Sequence, residues 1–207
     1  DSMPWLLGDQ FDAVMNYPFT TNVLNLLASQ TISAEQFMND MTTVIQSYPK
    51  NVMDVTFNLV GSHDTPRILT ECQGNVDRLK LIYTLLYTFM GSPCMYYGDE
   101  IGMTGGKDPG CRKCMEWNPE KQNTDLLNHV KKLMSLRQSE NLLANEGSFQ
   151  FLNQIQTEVV AYRKYNDEQN VLVIINPTNA DQTFNIPDLL KGKIVKNLWT
   201  DEEFVST

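Results

Sequence analysis

Residues 54–67 read Asp-Val-Thr-Phe-Asn-Leu-Val-Gly-Ser-His-Asp-Thr-Pro-Arg, and this stretch decides the fold class. An apolar run typical of a buried strand ends in two small residues. His63, Asp64 and Arg67 then supply an imidazole, a carboxylate and a guanidinium in close succession. Barrels of parallel strands and helices carry their chemistry at the carboxyl ends of the strands. The stretch therefore predicts a barrel strand whose exit holds functional side chains.

Strand and helix signals alternate on both sides of this stretch. Strand candidates at residues 11–16 and 93–97 precede and follow it along the chain. Ser33 and Gln36 have the spacing of a capping box, in which each side chain bonds the other residue's backbone amide. Helix caps are predicted at three positions, Ser33, Asn75 and Thr124. This alternation is typical of parallel strands wrapped by helices.

The pattern changes near residue 145, where short β-type runs follow one another without helices. Five runs are predicted as strands: residues 149–152, 159–163, 171–175, 183–186 and 193–199. Polar residues 166–170 predict a hairpin connection between the second and third runs. Consecutive short strands favour an antiparallel sandwich. We therefore predict two domains, an α/β part at residues 1–143 and an all-β part at residues 144–207.

Three segments, in the right order along the chain, resemble a known family. Residues 57–67 resemble the seventh-strand motif of the α-amylase family, glycoside hydrolase family 13. Residues 4–18 are similar to the family's run from just after the fifth strand through the sixth, and residues 91–100 to its eighth-strand motif. Ser before the His-Asp pair is most similar to the neopullulanase, cyclomaltodextrinase and maltogenic-amylase branch. The resemblance implies strands six to eight of a (β/α)8 barrel, followed by a β-sandwich C-terminal domain that stops before its last strands.

Three barrel strands are too few to close a barrel. A closed barrel of this kind has eight strands, and three alone leave hydrogen-bonding edges and an apolar face uncovered. We therefore expect this chain to be a C-terminal fragment of a longer protein. Because bare edges and apolar faces are association sites, we also expect the isolated chain to self-associate.

The resemblance implies that the longer protein is a retaining α-glucan hydrolase. Retention requires two carboxyl groups about 5 Å apart, a nucleophile and an acid/base. In the family these groups follow the fourth and fifth strands, so both are expected upstream of Asp1. The resemblance gives Asp64 the role of the third carboxylate, which binds hydroxyls of the distorted sugar ring, and His63 that of a hydrogen-bond donor to the ring. Without the two upstream groups, the isolated chain is expected to be inactive.

Four further residues are candidates for contact with an α-glucan, maltooligosaccharide or cyclodextrin substrate. Asp108 and Arg112, four positions apart, match the sugar-binding segment that follows the eighth strand in this branch of the family. Asn16 and Tyr17 lie at the exit of the sixth strand and are expected to line the cleft. Substrate binding is therefore assigned to these four residues.

Arg67 leaves two interpretations open. Its guanidinium can hold Asp64 in the ionised form by charge pairing, because an opposite charge nearby favours ionisation of a carboxyl group. It can equally form a purely structural salt link.

Two other functions compete with the leading one. The first is a relative of the oligo-1,6-glucosidases or transferases. The sequence of residues 62–67 argues against it. The second is a non-catalytic carbohydrate-binding or assembly module that keeps the barrel strands as a scaffold. A Glu just upstream of Asp1, and an Asp one barrel unit earlier, would decide for the enzyme. The predicted linkage is α-1,4, with α-1,6 links as an open addition.

Composition limits the partners. A formal charge of -9 and a pI near 4.7 argue against nucleic acid and anionic membranes, which both attract basic surfaces. No run approaches the ~18 apolar residues of a membrane helix. The opening residues 1–5 lack the basic and apolar regions of a signal peptide, which predicts a cytoplasmic protein.

No metal or cofactor is predicted. The sequence contains four cysteines, Cys72, Cys94, Cys111 and Cys114. Cys94 lies in a strand-like run and is expected to be buried. Cys111 and Cys114 form a CxxC, but a zinc site needs a second pair of ligands and His129 stands alone in a helix-like stretch. Two free thiols, or a bond between them, are the preferred interpretation of this pair.

Overall fold

The first part of the chain combines helices with short parallel strands. The structure, a computed structural model, describes residues 2–153 and 157–206, with Leu189 described by its backbone alone. The outermost residues of the two predicted domains, Asp1 and Thr207, lie outside this description. The elements of the first part are α1 (Tyr17–Val23) with a π-helical turn (Leu24–Ala28), α2 (Ala34–Gln46), α3 (Lys50–Met53), β1 (Phe57–Leu59), α4 (Ile68–Glu71), α5 (Val76–Thr88), β2 (Ser92–Cys94) and α6 (Thr124–Ser139). The second part contains β3 (Ser148–Phe151), β4 (Val160–Tyr165), β5 (Asn170–Ile175), β6 (Ile194–Lys196) and β7 (Glu203–Val205).

Three extended segments run parallel in chain order. β1 pairs with β2 in parallel register, with Phe57 opposite Ser92. On the other side of β1, Phe57 forms a parallel bridge with Met15. The Phe57 backbone donates to Val14 O at 3.0 Å and accepts from Asn16 N at 2.7 Å. Helices α1 to α3 connect the first segment to the second, and α4 and α5 connect the second to the third, so the predicted alternation is confirmed.

The strands predicted at residues 11–16 and 93–97 are too long. The first reduces to the bridge at Met15, because the backbone before it folds back in a turn in which Phe11 N donates to an earlier carbonyl. The second ends at Cys94, because the chain leaves the sheet there. Apolar patterning is a local signal, whereas strand length depends on the neighbouring strand.

Side-chain caps open two of the longer helices where the sequence predicts them. Ser33 Oγ accepts from Gln36 N at 3.1 Å at the start of α2. Asn75 Oδ1 accepts from Arg78 N at 3.0 Å at the start of α5. The second bond of the capping box, from Ser33 N to Gln36 Oε1, is not found in the described ranges, and Gln36 Nε2 donates to Asp40 Oδ1 at 2.7 Å.

The start of α6 differs by one residue from the prediction. Asn123 is the cap, since its Oδ1 accepts from Leu126 N at 2.9 Å, and Thr124 is the first helical residue. An Asn oxygen satisfies a free amide of the first turn as well as a Thr hydroxyl does. Helix α1 and the short helices α3 and α4 were not predicted. In the described ranges, no helix is both long enough and apolar enough to cross a bilayer.

The hydrophobic core joins the two parts of the chain. Phe89, fully buried after α5, contacts the rings of Phe19, Phe149 and Tyr162 at centroid distances of 5.4, 5.0 and 5.7 Å. Phe149 and Tyr162 belong to β3 and β4. The Tyr162 hydroxyl also lies 2.6 Å from Thr88 Oγ1. Because burial of one such side chain contributes about 1.5–3 kcal/mol, this cluster fixes the sheet on the helices.

The second part contains two antiparallel sheets. One has the order β3-β4-β5 and the other pairs β6 with β7. The predicted hairpin is confirmed, with Asn166 N donating to Gln169 O at 3.1 Å between β4 and β5. Residues 183–186 do not form the predicted strand. The domain boundary at residues 143–144 stays a prediction.

Lys164 and Asn145 form a polar joint between the two parts. Lys164 is 2% exposed, and its Nζ donates to Leu143 O at 3.1 Å and to Asn145 Oδ1 at 3.2 Å. The Asn145 amide nitrogen donates to Asp54 O at 2.8 Å and to Gly91 O at 2.9 Å. The joint therefore connects β4 with the turns before β1 and β2.

Burial lowers the pKa of Lys164 to about 7. The positive charges of Arg137 and Lys50 lower this pKa further, and the carboxylate of Asp54 opposes them. A folded chain therefore holds the Lys164 proton less tightly than an unfolded chain does.

We expect Lys164 to make the stability of this chain depend on pH. Between pH about 7 and 10 the unfolded state binds more protons at this residue, so raising the pH favours the folded state. The free energy of unfolding of the native chain should rise over this range relative to that of Lys164→Met. Urea unfolding at several pH values measures the difference. The exposed Lys131→Met is the control and should follow the native chain; a Lys164→Met profile parallel to it would contradict the prediction.

Candidate active site

The turn after β1 presents two ionisable side chains. Ser62 N donates to Thr65 Oγ1 at 2.9 Å, and Asp64 N donates to Ser62 Oγ at 3.2 Å. These bonds brace the turn from within. His63 Nε2 and Asp64 Oδ1 lie 3.3 Å apart, and 63% of each side chain is exposed. The turn therefore presents the imidazole and the carboxylate side by side to solvent.

The loop after β2 reaches this turn through Arg112. Arg112 Nε donates to His63 O at 3.0 Å and lies 2.8 Å from Asp108 Oδ1. Arg112 Nη2 donates to Asp64 Oδ1 at 3.2 Å. The Arg112 guanidinium thus contacts the carboxylates of Asp64 and Asp108 and the backbone carbonyl of His63. Four of the six predicted site residues lie in this cluster, and their roles stay predictions.

Asn16 and Tyr17 lie at the exit of the first parallel segment. Asn16 is buried, its Oδ1 accepts from Phe19 N at 3.1 Å to cap α1, and its Nδ2 donates to Asn58 Oδ1 at 2.9 Å. Tyr17 is 48% exposed and begins α1. Asn16 therefore has a clear structural role, and substrate contact by either residue stays a prediction.

A buried arginine braces the exits of both strands. Arg67 is 1% exposed, its Nη1 lies 2.9 Å from Asp99 Oδ1, and its Nε donates to Cys111 O at 2.8 Å. Its guanidinium carbon lies 4.4 Å from the ring centroid of Tyr96 and 4.6 Å from that of Tyr97. The structural salt link is thus the correct interpretation of Arg67, with Asp99 as the partner. The charge that pairs with Asp64 comes from Arg112 instead.

The brace extends to the backbone of His63. Cys111 lies beside Arg112, and its Sγ donates to His63 O at 3.1 Å. Gly61 packs closely against Asp99, and this explains why a glycine stands at this position of the motif: a Cβ there would lie 2.9 Å from Asp99 Oδ2. Arg67 and Cys111 therefore fix the turn and the loop relative to one another without touching solvent.

Asp99 is the site residue that the sequence did not reveal. Burial raises the pKa of Asp99 to about 6, although its hydrogen bond and ion pair with Arg67 lower it. The available signal was a pair of acidic residues, Asp99 and Glu100, at the exit of a strand. Acidic residues are almost never fully buried unless paired, so such a position calls for a cationic partner.

The cysteines differ in exposure. Cys111 is buried and Cys114 exposed, and both are free thiols, as the preferred interpretation predicts. Cys94 is also exposed, so its predicted burial is wrong: it ends β2. Within the described part of the chain, no three His, Cys, Asp or Glu side chains group as metal ligands would.

A family model described as "Alpha amylase, catalytic domain" matches residues 1–168. This match includes both strand exits and the whole side-chain cluster. The chain therefore belongs to the α-amylase family.

Named relatives agree with this assignment. A maltogenic alpha-amylase of Bacillus acidopullulyticus is 53% identical over 99% of this chain and 35% of its own length. A cyclomaltodextrinase of Geobacillus thermopakistaniensis is 48% identical over 100% of this chain and 35% of its own. Among solved structures, a cyclomaltodextrinase superposes with a TM-score of 0.80 at 44% identity, over 84% of this chain and 30% of that one. The chain thus spans about a third of the length of these relatives.

We expect Asp99→Asn to destabilise the chain strongly. The substitution leaves the buried guanidinium of Arg67 without its counter-charge, and breaking a buried ion pair in this way costs about 3 kcal/mol or more. Chemical denaturation measures the free energy of unfolding. Glu100→Gln, one residue along, is the matched control and should change it by about 0.5 kcal/mol or less. Equal effects of the two substitutions would contradict the role given to the Arg67–Asp99 pair.

Proposed function

We propose that this chain supplies the sugar-binding side of the catalytic centre in a retaining α-glucan hydrolase. Residues 1–143 would be strands six to eight of a (β/α)8 barrel with their helices, and residues 144–207 part of an antiparallel β-sandwich domain. The parallel order of the segment at Met15, β1 and β2, with helices between them, supports this arrangement.

One observation carries the proposal. The His63–Asp64 turn and the Asp108–Arg112 loop come from the exits of adjacent parallel strands and meet within hydrogen-bond distance. Strand exits at one edge of a parallel sheet are where barrel enzymes assemble residues from distant parts of the sequence. The meeting of these four side chains is therefore the arrangement expected of a catalytic centre rather than of a solvated loop.

The chemistry divides between this chain and the rest of the enzyme. Retention uses a nucleophile and an acid/base about 5 Å apart, and we assign both to a part of the enzyme outside this sequence. Asp64 then accepts hydrogen bonds from hydroxyls of the sugar ring that is distorted toward the transition state. His63 donates a hydrogen bond that strengthens as positive charge develops on the ring. Contacts that tighten only at the transition state raise the rate rather than the affinity.

The geometry of Asp64 suits this role. Its contacts with His63 Nε2 and Arg112 Nη2 are both made by Oδ1. Oδ2 of Asp64 can then accept a hydrogen bond from a sugar hydroxyl while Oδ1 is held in place. Arg112 also retains Asp108 at 2.8 Å, so substrate binding at this pair would be coupled to the orientation of Asp64.

The names of the relatives support the substrate class. Maltogenic amylase and cyclomaltodextrinase are names of enzymes that release maltose or open cyclic dextrins, so we propose α-glucans of this kind as substrates. On the family resemblance of residues 57–67 we propose α-1,4 links as the bonds cleaved, with α-1,6 links as the open addition. The relatives' names also favour a hydrolase over a non-catalytic module.

We expect Asp64→Asn in the longer enzyme to lower kcat far more than it raises KM, because the contacts of Asp64 serve the distorted ring. His63→Ala should lower kcat by ~10- to 1000-fold, as loss of other transition-state donors does. Steady-state kinetics with a chromogenic maltoside measures both. Asp167→Asn, in the exposed β4–β5 turn, is the control and should leave kcat and KM unchanged.

Two outcomes would count against this assignment. Near-normal kcat in both the Asp64→Asn and His63→Ala enzymes would remove the transition-state role of the turn. Turnover by the 207-residue chain alone, above a buffer blank, would show that the nucleophile and the acid/base do not lie outside this sequence.

We also expect the isolated chain to self-associate. Met15 and Phe57 are neighbours on the parallel sheet and remain 45% and 52% exposed, which leaves apolar area where further barrel strands would pack. Light scattering at micromolar concentration should give a mass above 23.7 kDa. Phe57→Lys should shift it toward the monomer, whereas Ile194→Lys, at a 74% exposed residue of β6, should not. A monodisperse monomer of the native chain would refute the prediction.

A further inference from the structure

A cavity lies at the joint between the two parts of the chain, away from the His63–Asp64 turn. Its volume is about 350 Å³. Its walls come from the end of α2, from α3 and from β3 and β4, and include Tyr48, Lys50, Met90, Phe149 and Lys164. The proposed function uses none of these residues, so the inference below does not depend on it.

The hydrogen bonds of Lys164 suit an uncharged amine. Its Nζ has two acceptors among the described residues, Leu143 O and Asn145 Oδ1. An ammonium has three N–H groups to satisfy, whereas a neutral amine has two and keeps a lone pair. A buried ammonium with one unsatisfied N–H would be costly. The neutral form therefore fits this site better, and the pKa of about 7 that burial gives Lys164 agrees.

The charges around Lys164 favour an anion over a cation. The carboxylate of Asp54 is already paired with Lys50 at 2.5 Å. Arg137 donates to Tyr87 O at 2.8 Å and to Gly91 O at 2.5 Å, and no ion pair of Arg137 occurs in the described part of the chain. The positive charges of Arg137 and Lys50 both lower the pKa of Lys164. A negative group on Lys164 would balance the local excess of positive charge.

We propose that Lys164 is a carbon dioxide-binding residue, whose Nζ forms a carbamate at the wall of this cavity. The Nζ lone pair attacks the carbon of dissolved CO2, and the new N–C bond forms as one C–O π bond breaks to give an anionic oxygen. The nitrogen releases one proton to solvent. Atoms and charge balance without an oxidant, a reductant or a metal. Nζ keeps one N–H for one of its two present acceptors, Leu143 O or Asn145 Oδ1, and the new carboxylate gains the attraction of Lys50 and Arg137.

The cavity is large enough to hold a carbamate on Lys164. Three heavy atoms occupy a small part of about 350 Å³, so the cavity need not widen. Because Lys50 begins α3 and Arg137 lies in α6, ion pairing of the carbamate would hold β4 to these two helices. CO2 would then stabilise the folded chain at a pH where the free amine is available.

The test uses the 207-residue chain with ¹³C-bicarbonate near pH 7.5. A ¹³C carbamate resonance is expected, and trapping with triethyloxonium should convert it to an ethyl carbamate that peptide mass spectrometry locates. Labelling of Lys164 should exceed that of the exposed Lys131 at least ~10-fold, because a lowered pKa frees more amine for reaction. Lys164→Arg should abolish this resonance while leaving any signal from the terminal amine.

Labelling absent from Lys164, or equal at Lys164 and Lys131, would overturn the proposal. The mapping is made on the native chain, so it does not require that a variant fold. A melting temperature of the native chain that rises with bicarbonate at fixed pH and ionic strength, with no rise for Lys164→Arg, is the second expected result. A rise of equal size in both proteins would contradict the role of Lys164.

Discussion

The ion pair between Arg67 and Asp99 holds the two strand exits together. A guanidinium removed from water loses several kcal/mol of hydration, and only close contacts recover it. Asp99 supplies the counter-charge, and the carbonyls of Tyr97 and Cys111 accept further bonds. Arg67 Nη2 nevertheless has no partner among the described protein atoms, so the pair is not fully satisfied. Removing one partner of such a pair is costly, whereas the intact pair adds little net stability, so we infer that its main contribution is a single relative position of the two strand exits.

The exposed cluster depends on this hidden one. Arg112 reaches Asp64 because Cys111, its neighbour in sequence, is held by the Arg67 guanidinium and by His63 O. The two arginines, Arg67 and Arg112, thus have different roles. The buried one fixes the backbone of the loop, and the exposed one sets the orientation of the carboxylate.

Local signals in the sequence accounted for much of the fold. Strand β1, the caps at Ser33 and Asn75, and the hairpin before β5 were all predictable, because each depends on residues a few positions apart. The exposure of Cys94 was not predictable from its run, since burial at a strand end depends on what lies across the sheet. The cap at Asn123 was missed because Thr124, one position later, carries a hydroxyl oxygen that can also accept a capping hydrogen bond.

The residues of the candidate site also divide into those that a local pattern reveals and those that depend on distant contacts. His63 and Asp64 were found because they are adjacent in sequence, and Asp108 with Arg112 because their spacing matches a family segment. The partner of Arg67 lies 32 positions away, so no short pattern could select Asp99 over Asp64. Asn16 was placed correctly at a strand exit, but its capping bond and its bond to Asn58 appear only once the neighbouring strand is present.

The aromatic cluster around Phe89 bears on how such proteins diversify. Since Phe149 and Tyr162 pack on Phe89, and the Tyr162 hydroxyl meets Thr88, the antiparallel sheet and the helices share one interior. A recombination event that exchanges the C-terminal sheet between relatives would have to carry matching aromatic residues on both sides of the crossover. Crossovers placed within the β-region beyond this cluster disturb fewer contacts. The evolutionary unit of inheritance is therefore expected to include β3 and β4 along with the helices they cover.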